Sequence, residues 1–64
     1  MKHEVTIELD LYRSAWRDSP LNQLDETAKQ IKRYIREYLE IGHPECSFKL
    51  FDINGNQTGR ITFR

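Results

Sequence analysis

The residue types that most often carry catalysis or bind metals are scarce in this sequence. His3 and His43 are its only histidines, and Cys46 is its only cysteine. Glu8 and Asp10 stand two positions apart on a predicted strand, so their carboxylates would share one face, as paired catalytic carboxylates do. No nucleophile motif, glycine-rich phosphate loop or dinucleotide fingerprint accompanies them. We therefore expect no catalytic residue, no cofactor, no small-molecule substrate and no enzymatic activity.

Two segments carry part of a metal-site pattern. The segment from His43 to Cys46 has the spacing of half a zinc site, but the sequence offers no second pair of ligands. The segment from Asp52 to Asn56 begins like a calcium loop, yet its glycine comes one position early and no glutamate follows at the twelfth position. We expect no metal site. Cys46 should pack in the core, and the second segment should form a polar hairpin turn.

Aromatic and basic side chains supply the better candidates for a binding site. Some of them fall on the predicted polar face of a sheet, and the others lie in the loop that follows the first strand. Such side chains on an otherwise polar surface are typical of hot spots in protein interfaces. The predicted binding residues are Tyr12, Trp16, Arg17, Lys49, Phe51 and Arg60. In the alternative interpretation, Trp16 folds back to cap the core while Tyr12 packs on Phe51.

A second surface carries a basic stripe. Its four residues follow one another along the outward side of the predicted helix, in the arrangement that can track a phosphate backbone: Lys29, Lys32, Arg33 and Arg36. Acidic residues at i,i+4 spacing would compensate the stripe, in the pairs Asp25–Lys29, Arg33–Glu37 and Arg36–Glu40. A solvated, self-compensating helix face is the preferred interpretation, and a nucleic-acid contact is the alternative.

The segment Leu21–Ile41 is predicted to be the only helix and to organise the rest of the chain. Ser19 and Pro20 give a hydroxyl N-cap followed by proline at the first helical position, and Gly42 can adopt the left-handed conformation that ends a helix. At helical spacing one side collects an apolar stripe, which should be buried: Leu24, Ala28, Ile31 and Ile35, with Leu21, Tyr38 and Leu39 at its margins.

Three strands are predicted around this helix, with residues 13–19 as a loop. The range 3–12 alternates, with Val5, Ile7, Leu9 and Leu11 on one face. The ranges 46–53 and 59–64 form a hairpin around Asn54-Gly55, a two-residue type I′ turn. That turn predicts these opposed pairs: Ile53–Asn56, Leu50–Gly59, Lys49–Arg60, Phe48–Ile61 and Cys46–Phe63.

The predicted fold is a single α+β domain over residues 1–64. Its order is β-α-β-β, with one helix packed on one face of a three-stranded mixed sheet. Lys49 and Arg60 would repel each other as opposed like charges, and Glu8 and Asp10 beside Arg60 would relieve that repulsion. This favours the last strand in the centre of the sheet.

The stretch Glu4–Ile7, the Ser19-Pro20-Leu21 before the helix and the hairpin that follows resemble small DNA-damage-inducible regulators of the DinI type. The resemblance implies a β-α-β-β core that regulates a recombinase filament. It lies in the pattern rather than in a motif, and it carries no site residue. The sequence has no counterpart of that family's second, acidic helix.

The composition limits the classes of partner that we expect for this protein. Ten basic and ten acidic residues cancel, which argues against bulk capture by nucleic acid or anionic membrane. A lone cysteine and the lack of a long apolar run predict a cytoplasmic protein without a membrane span. A chain of 64 residues has a small core, so a protein partner or self-association would add stability. We expect a non-enzymatic regulator, inhibitor or accessory subunit that acts by protein–protein interaction, as a homodimer or with another protein.

Overall fold

The fold is a two-layer α+β arrangement, as predicted, with one long helix against a three-stranded sheet. The computed structural model describes residues 3–42 and 44–64. The elements follow in the order β1 (Val5–Leu9), α1 (Ser14–Asp18), α2 (Pro20–Ile41), β2 (Cys46–Phe51) and β3 (Gln57–Phe63). The range 13–19 was predicted as a loop, but it contains the short helix α1. Five residues are too few to show a helical hydrophobic period, so the sequence gives no signal for this helix.

The sheet has the order β1-β3-β2, which confirms the predicted central position of the last strand. Both neighbours of β3 run antiparallel to it, so every ladder in the described sheet is antiparallel. The strands β1 and β2 are parallel to each other without being neighbours, and the sheet is therefore not mixed in its hydrogen bonding. Glu8 lies opposite Arg60, and Arg60 lies opposite Lys49, as charge relief predicted.

The hairpin has the predicted register along the strands but a different turn. The pairs from Cys46–Phe63 to Leu50–Gly59 are all formed. The loop has three residues instead of two, because the N–H of Asp52 donates to the carbonyl of Asn56 (2.8 Å). The N–H of Gly55 donates to the carbonyl of Asp52 (3.0 Å), and Gly55 has a φ of 85°. This is a type I turn followed by a left-handed glycine.

A β-bulge reconciles the longer loop with the predicted register. The loop pairs Asp52 with Asn56 and Phe51 with Gln57. Continued along the strands, this register would pair Leu50 with Thr58, whereas Leu50 pairs with Gly59. Thr58 is the extra residue on β3 that restores the step. Because side chains alternate between the faces of a strand, this single insertion keeps the apolar residues of both strands on one face.

The helix α2 begins and ends where its signals predicted. Pro20 is at the start, and Gly42 ends the helix with a φ of 107° while its N–H donates to the carbonyl of Tyr38. The predicted hydroxyl cap is wrong, because the side chain of Ser19 makes no capping hydrogen bond. Its carbonyl accepts the N–H of Gln23 instead (2.9 Å).

The core lies between β2, β3 and the C-terminal half of α2. Leu50, Ile61 and Phe63 are buried from the sheet, and Tyr38 is buried from the helix. The ring of Tyr38 stacks on that of Phe63, with 4.4 Å between ring centroids. Cys46 packs against this cluster, as predicted.

The prediction of which side of α2 is buried is wrong, because the helix is rotated about its own axis relative to the expected orientation. Leu24 is 53% exposed and Ala28 is exposed, whereas Ile31 and Ile35 are only partly buried. The buried residues of the helix are instead Gln23, Thr27, Gln30 and Tyr38. At 100° per residue the centre of the buried side is turned by roughly 100° from the centre of the apolar stripe.

Candidate functional site: an open apolar face

Hydrogen bonds to the outer edge of the hairpin explain the rotation of α2. The side-chain amide of Gln30 binds the backbone of Phe51 twice, donating to its carbonyl (2.7 Å) and accepting its N–H (2.9 Å). The Oε1 of Gln23 accepts the N–H of Ile53 (2.8 Å). The hydroxyl of Tyr34 donates to the carbonyl of Lys49 (3.4 Å). The helix thus satisfies backbone groups of β2 and its turn that the sheet leaves unpaired, and it covers this edge of the sheet.

The same rotation leaves one side of the domain uncovered. Val5, Ile7 and Leu9 of β1 lie opposite Phe63, Ile61 and Gly59 and share the core face of the sheet with them. They are nevertheless 38–45% exposed, because α2 lies nearest to β2 and leaves them only partly covered. The apolar stripe of the helix is exposed at Leu24, Ala28 and Leu39. We call these six residues the open apolar face: Val5, Ile7, Leu9, Leu24, Ala28 and Leu39.

A small cavity shows that the two halves of the open apolar face lie beside each other. It has a volume of about 180 Å³ and lies between the start of β1 and the last turns of α2. Val5 and Leu39 line opposite sides, and Phe63 and Tyr38 of the core also contribute. The two halves of the open apolar face therefore meet at this end of the domain, where the surface is concave.

The strand β1 also has a free backbone edge. The N–H and C=O groups of Glu4 bond those of Arg64, and the N–H of Asp10 bonds the carbonyl of Thr58. In an antiparallel ladder the groups that face the neighbour alternate, so the even-numbered residues of β1 bond β3. The N–H and C=O groups of Val5, Ile7 and Leu9 point away from the sheet, and they find no partner within residues 3–42 and 44–64.

The predicted binding residues separate into two groups. Lys49 and Arg60 are exposed side by side on the outer face of the sheet, Tyr12 is 89% exposed, and Arg17 and Phe51 are also exposed. We call these five residues the outer sheet surface, after Lys49, Phe51 and Arg60 on the outer face of the sheet. An open cavity of about 370 Å³ at this side is lined by Glu8, Asp10, Gln57 and Arg60 among others.

Trp16 does not project freely from this surface. It is half-buried in α1, and its indole N–H donates to the hydroxyl of Thr58 (2.7 Å). That hydroxyl in turn donates to the carbonyl of Asp10 (2.9 Å). Trp16 therefore folds back and fixes α1 against the bulge, but it is not among the residues that pack on the core cluster, which the alternative interpretation expected it to cap. The packing of Tyr12 on Phe51 that the same interpretation predicted is wrong, because no ring contact joins these two residues in the described chain.

The basic stripe of α2 is exposed and lacks the predicted compensation. None of the three i,i+4 pairs comes within ion-pair distance in the part of the chain that the structure describes. The guanidinium of Arg33 lies over the ring of Tyr34, 5.0 Å from its centroid. An open depression of about 410 Å³ is lined by the four basic residues together with Glu26 and Gln30.

The two carboxylates that the sequence analysis paired, Glu8 and Asp10, each have a basic neighbour. Glu8 faces Arg60 across the ladder, and Asp10 lies 3.9 Å from the Nε of Arg13. The carboxylate of Asp52 accepts the N–H groups of Asn54 (2.9 Å) and Asn56 (2.8 Å), which makes this segment the predicted polar turn.

No cluster of three possible metal ligands occurs among residues 3–42 and 44–64, and His43 lies outside them. None of the helices over the same residues is both long and apolar enough to cross a bilayer.

Comparison with known proteins adds no relative. No protein-family model matches the chain, and no curated protein and no solved structure matches it either. The resemblance to DinI-type regulators therefore gains no support.

Sequence reasoning missed the open apolar face because it assigned both of its halves to the core. The available signal was the polar row of Gln23, Thr27 and Gln30, whose i, i+4, i+7 spacing places them on one side of the helix. These three residues adjoin the apolar stripe. A helix that buries such a row must turn part of its apolar stripe outward.

Proposed function

We propose that the protein is a non-enzymatic binding module that acts by protein–protein interaction, as a small regulator, inhibitor or accessory subunit. The observation that carries the proposal is the open apolar face. Several large apolar side chains exposed on so small a domain indicate an interaction site, because they remain unfavourably hydrated until a partner covers them. Its single free cysteine suits the cytoplasm as the place where the partner is met.

The outer sheet surface is the second place where a partner could bind, since it holds five of the six predicted binding residues. It is polar and largely solvated, whereas the open apolar face offers the larger hydrophobic gain. We therefore place the main contact on the open apolar face and treat the outer sheet surface as the competing location.

The proposal predicts that Leu24 and Leu39 contribute to the affinity of partner fragments, even when those fragments are selected for binding to any surface of the protein. Protein fragments displayed on phage would be selected on the wild type, and the purified fragments then titrated by calorimetry. Leu24→Glu and Leu39→Glu each place a charge on the open apolar face without disturbing the core, because both side chains are more than half exposed. We expect each to weaken binding by roughly tenfold to a hundredfold, the usual loss at a hot spot.

A matched variant keeps this experiment specific. Ile53→Glu makes the same kind of change at a residue of the hairpin turn that is 44% exposed and outside the open apolar face, and we expect it to leave binding unchanged. Loss of binding with Arg60→Glu or Phe51→Ser, but not with Leu24→Glu or Leu39→Glu, would move the contact to the outer sheet surface. Failure to select any fragment would contradict the proposed function.

Nucleic-acid binding is the second candidate, and the uncompensated basic stripe favours it. The exposed side chains of Lys29, Lys32 and Arg36, together with Arg33 beside Tyr34, could neutralise successive phosphates along one helix face. The same purified protein would then shift DNA or RNA, with affinity falling steeply as salt rises and with Lys32→Glu and Arg36→Glu reducing it. Affinity that does not change with salt, or no shift at high protein concentration, would exclude this candidate.

A further inference from the structure

We propose that β1 accepts an extended segment of a partner protein as a fourth strand, and that this segment alternates apolar residues with lysine or arginine. The inference rests on the proposed function and specifies how the partner binds. Three features of β1 support it in turn: the free backbone groups, the apolar residues on its inner side and the acidic residues on its outer side.

The backbone of β1 is prepared for strand addition. The outward N–H and C=O groups of Val5, Ile7 and Leu9 repeat at the spacing of an antiparallel ladder. Exposed edges of this kind attract additional strands, and proteins usually cover or charge them. On the opposite edge of the sheet, Gln30 and Tyr34 of α2 bind the second half of β2, at Phe51 and the carbonyl of Lys49. No residue of α2 binds the outward groups of β1 in the described chain.

The rows across the sheet define the inner side of the added strand. Phe48, Ile61 and Ile7 form one row on the inner face, and the neighbouring row ends at Val5. A residue paired with Ile7 would extend its row on the same face. Each partner residue opposite Val5, Ile7 or Leu9 therefore falls beside the open apolar face, where an apolar side chain would cover exposed surface.

The outer side of the added strand is defined by charge. Lys49, Arg60 and Glu8 form one row, so charge along it runs basic, basic, acidic. The next residue in this row would lie directly beside Glu8, where a lysine or arginine is favoured. Asp10 carries the same sign at the next alternate position, and Glu4 does so beyond the uncharged Thr6. The partner segment is thus basic at the positions between its apolar residues.

The same charges argue against a second copy of this chain as the occupant. Two β1 strands that pair antiparallel through their free edges must oppose odd-numbered residues with odd-numbered residues. Centred on Ile7, this pairing sets Glu4 against Asp10. Centred on Thr6 it sets Glu4 against Glu8, and centred on Glu8 it sets that residue against itself. Each arrangement brings carboxylates together across the new ladder, which is unfavourable.

A designed peptide tests this inference directly. The probe is a short peptide in which valine alternates with lysine, titrated into the full-length protein and monitored by NMR chemical shifts. We expect shifts concentrated on residues 4–10 and the facing side of α2. A peptide in which glutamate replaces lysine should bind roughly tenfold or more weakly, since each opposed charge pair contributes up to about 1 kcal/mol. Methylation of the valine amide nitrogens should abolish binding, because it removes the donors that face β1.

A pair of variants separates backbone bonding from side-chain contact. Ile7→Pro removes an N–H that points away from β3, so the native ladder is retained, as at the edge positions where proline occurs in natural sheets. Ile7→Ala removes a comparable part of the side chain but keeps the N–H. We expect the lysine peptide to bind the alanine variant at least tenfold more tightly than the proline variant. Amide spectra of both variants should show β2 and β3 unchanged.

The outcomes distinguish this inference from the proposed function. Equal binding of the lysine peptide to the Ile7→Pro and Ile7→Ala variants, equal binding of the lysine and glutamate peptides, or a stable homodimer joined through β1 would overturn strand addition. If strand addition is overturned in this way but selected fragments still lose affinity with Leu24→Glu, the protein-binding function is supported and only strand addition at β1 is wrong. If neither peptides nor fragments bind, both proposals fail.

Discussion

Gly59→Ala is expected to destabilise the domain by about 3 kcal/mol or more, because β3 passes too close to β1 at this position to admit a side chain. A Cβ on Gly59 would overlap the backbone carbonyl oxygen of Glu8 and would lie 3.1 Å from the side chain of Leu9. A carbonyl in a ladder cannot rotate away as a side chain can, so the central strand must separate from β1. For a domain of this size the loss would lower Tm by roughly 15 °C or more in thermal unfolding followed by circular dichroism.

Gly55→Ala is the matched control for that substitution. Gly55 has a left-handed φ of 85°, but nothing lies within 4 Å of the position that its Cβ would take. The alanine there should therefore cost only the conformational strain, about 1 kcal/mol. If Gly59→Ala proved no more destabilising than Gly55→Ala, the close approach of β1 and β3 would be wrong.

Gln30→Met is expected to destabilise the domain by about 2–4 kcal/mol, although it replaces a polar residue on a buried helix face with an apolar one of similar size. The substitution leaves the N–H and the carbonyl of Phe51 without the two hydrogen bonds that the amide of Gln30 supplies. Since the apolar gain at a single side chain does not offset two unpaired backbone groups, stability should fall. Chemical denaturation would measure the difference in the free energy of unfolding.

Lys29→Met provides the comparison for Gln30→Met. Lys29 is the adjacent residue of the same helix, is exposed, and makes no hydrogen bond or ion pair within the described chain. Its replacement by methionine should change stability by less than about 0.5 kcal/mol. A Gln30→Met variant as stable as the wild type would contradict the role of α2 in covering the edge of β2.

Much of the fold could be predicted because its signals are local. Alternation identified β1, opposed residues fixed the register from Cys46–Phe63 to Leu50–Gly59, and Gly42 marked the end of α2. The three-residue turn and the bulge at Thr58 escaped prediction because their effects on the register cancel. Either one alone would have scattered the apolar residues over both faces of the sheet, so the sequence pattern contains no trace of the pair.

The candidate site could not be predicted in the same way, because the rotation of α2 depends on distant hydrogen bonds. Apolar periodicity selects the side that holds Leu24 and Ala28, and this is the side that a helix usually buries. The partners of Gln23 and Gln30 lie 30 and 21 residues further along the chain, so their pairing has no local signature. The rotation turns an expected core into the open apolar face.

Amide hydrogen exchange along β1 in the free protein tests most directly the claim that this strand has an open edge. We expect the N–H groups of Thr6 and Glu8, which bond β3, to exchange slowly. Those of Val5, Ile7 and Leu9 should exchange orders of magnitude faster because they face solvent. Equal and slow exchange at all five positions would show that this edge is already covered, and it would contradict the account.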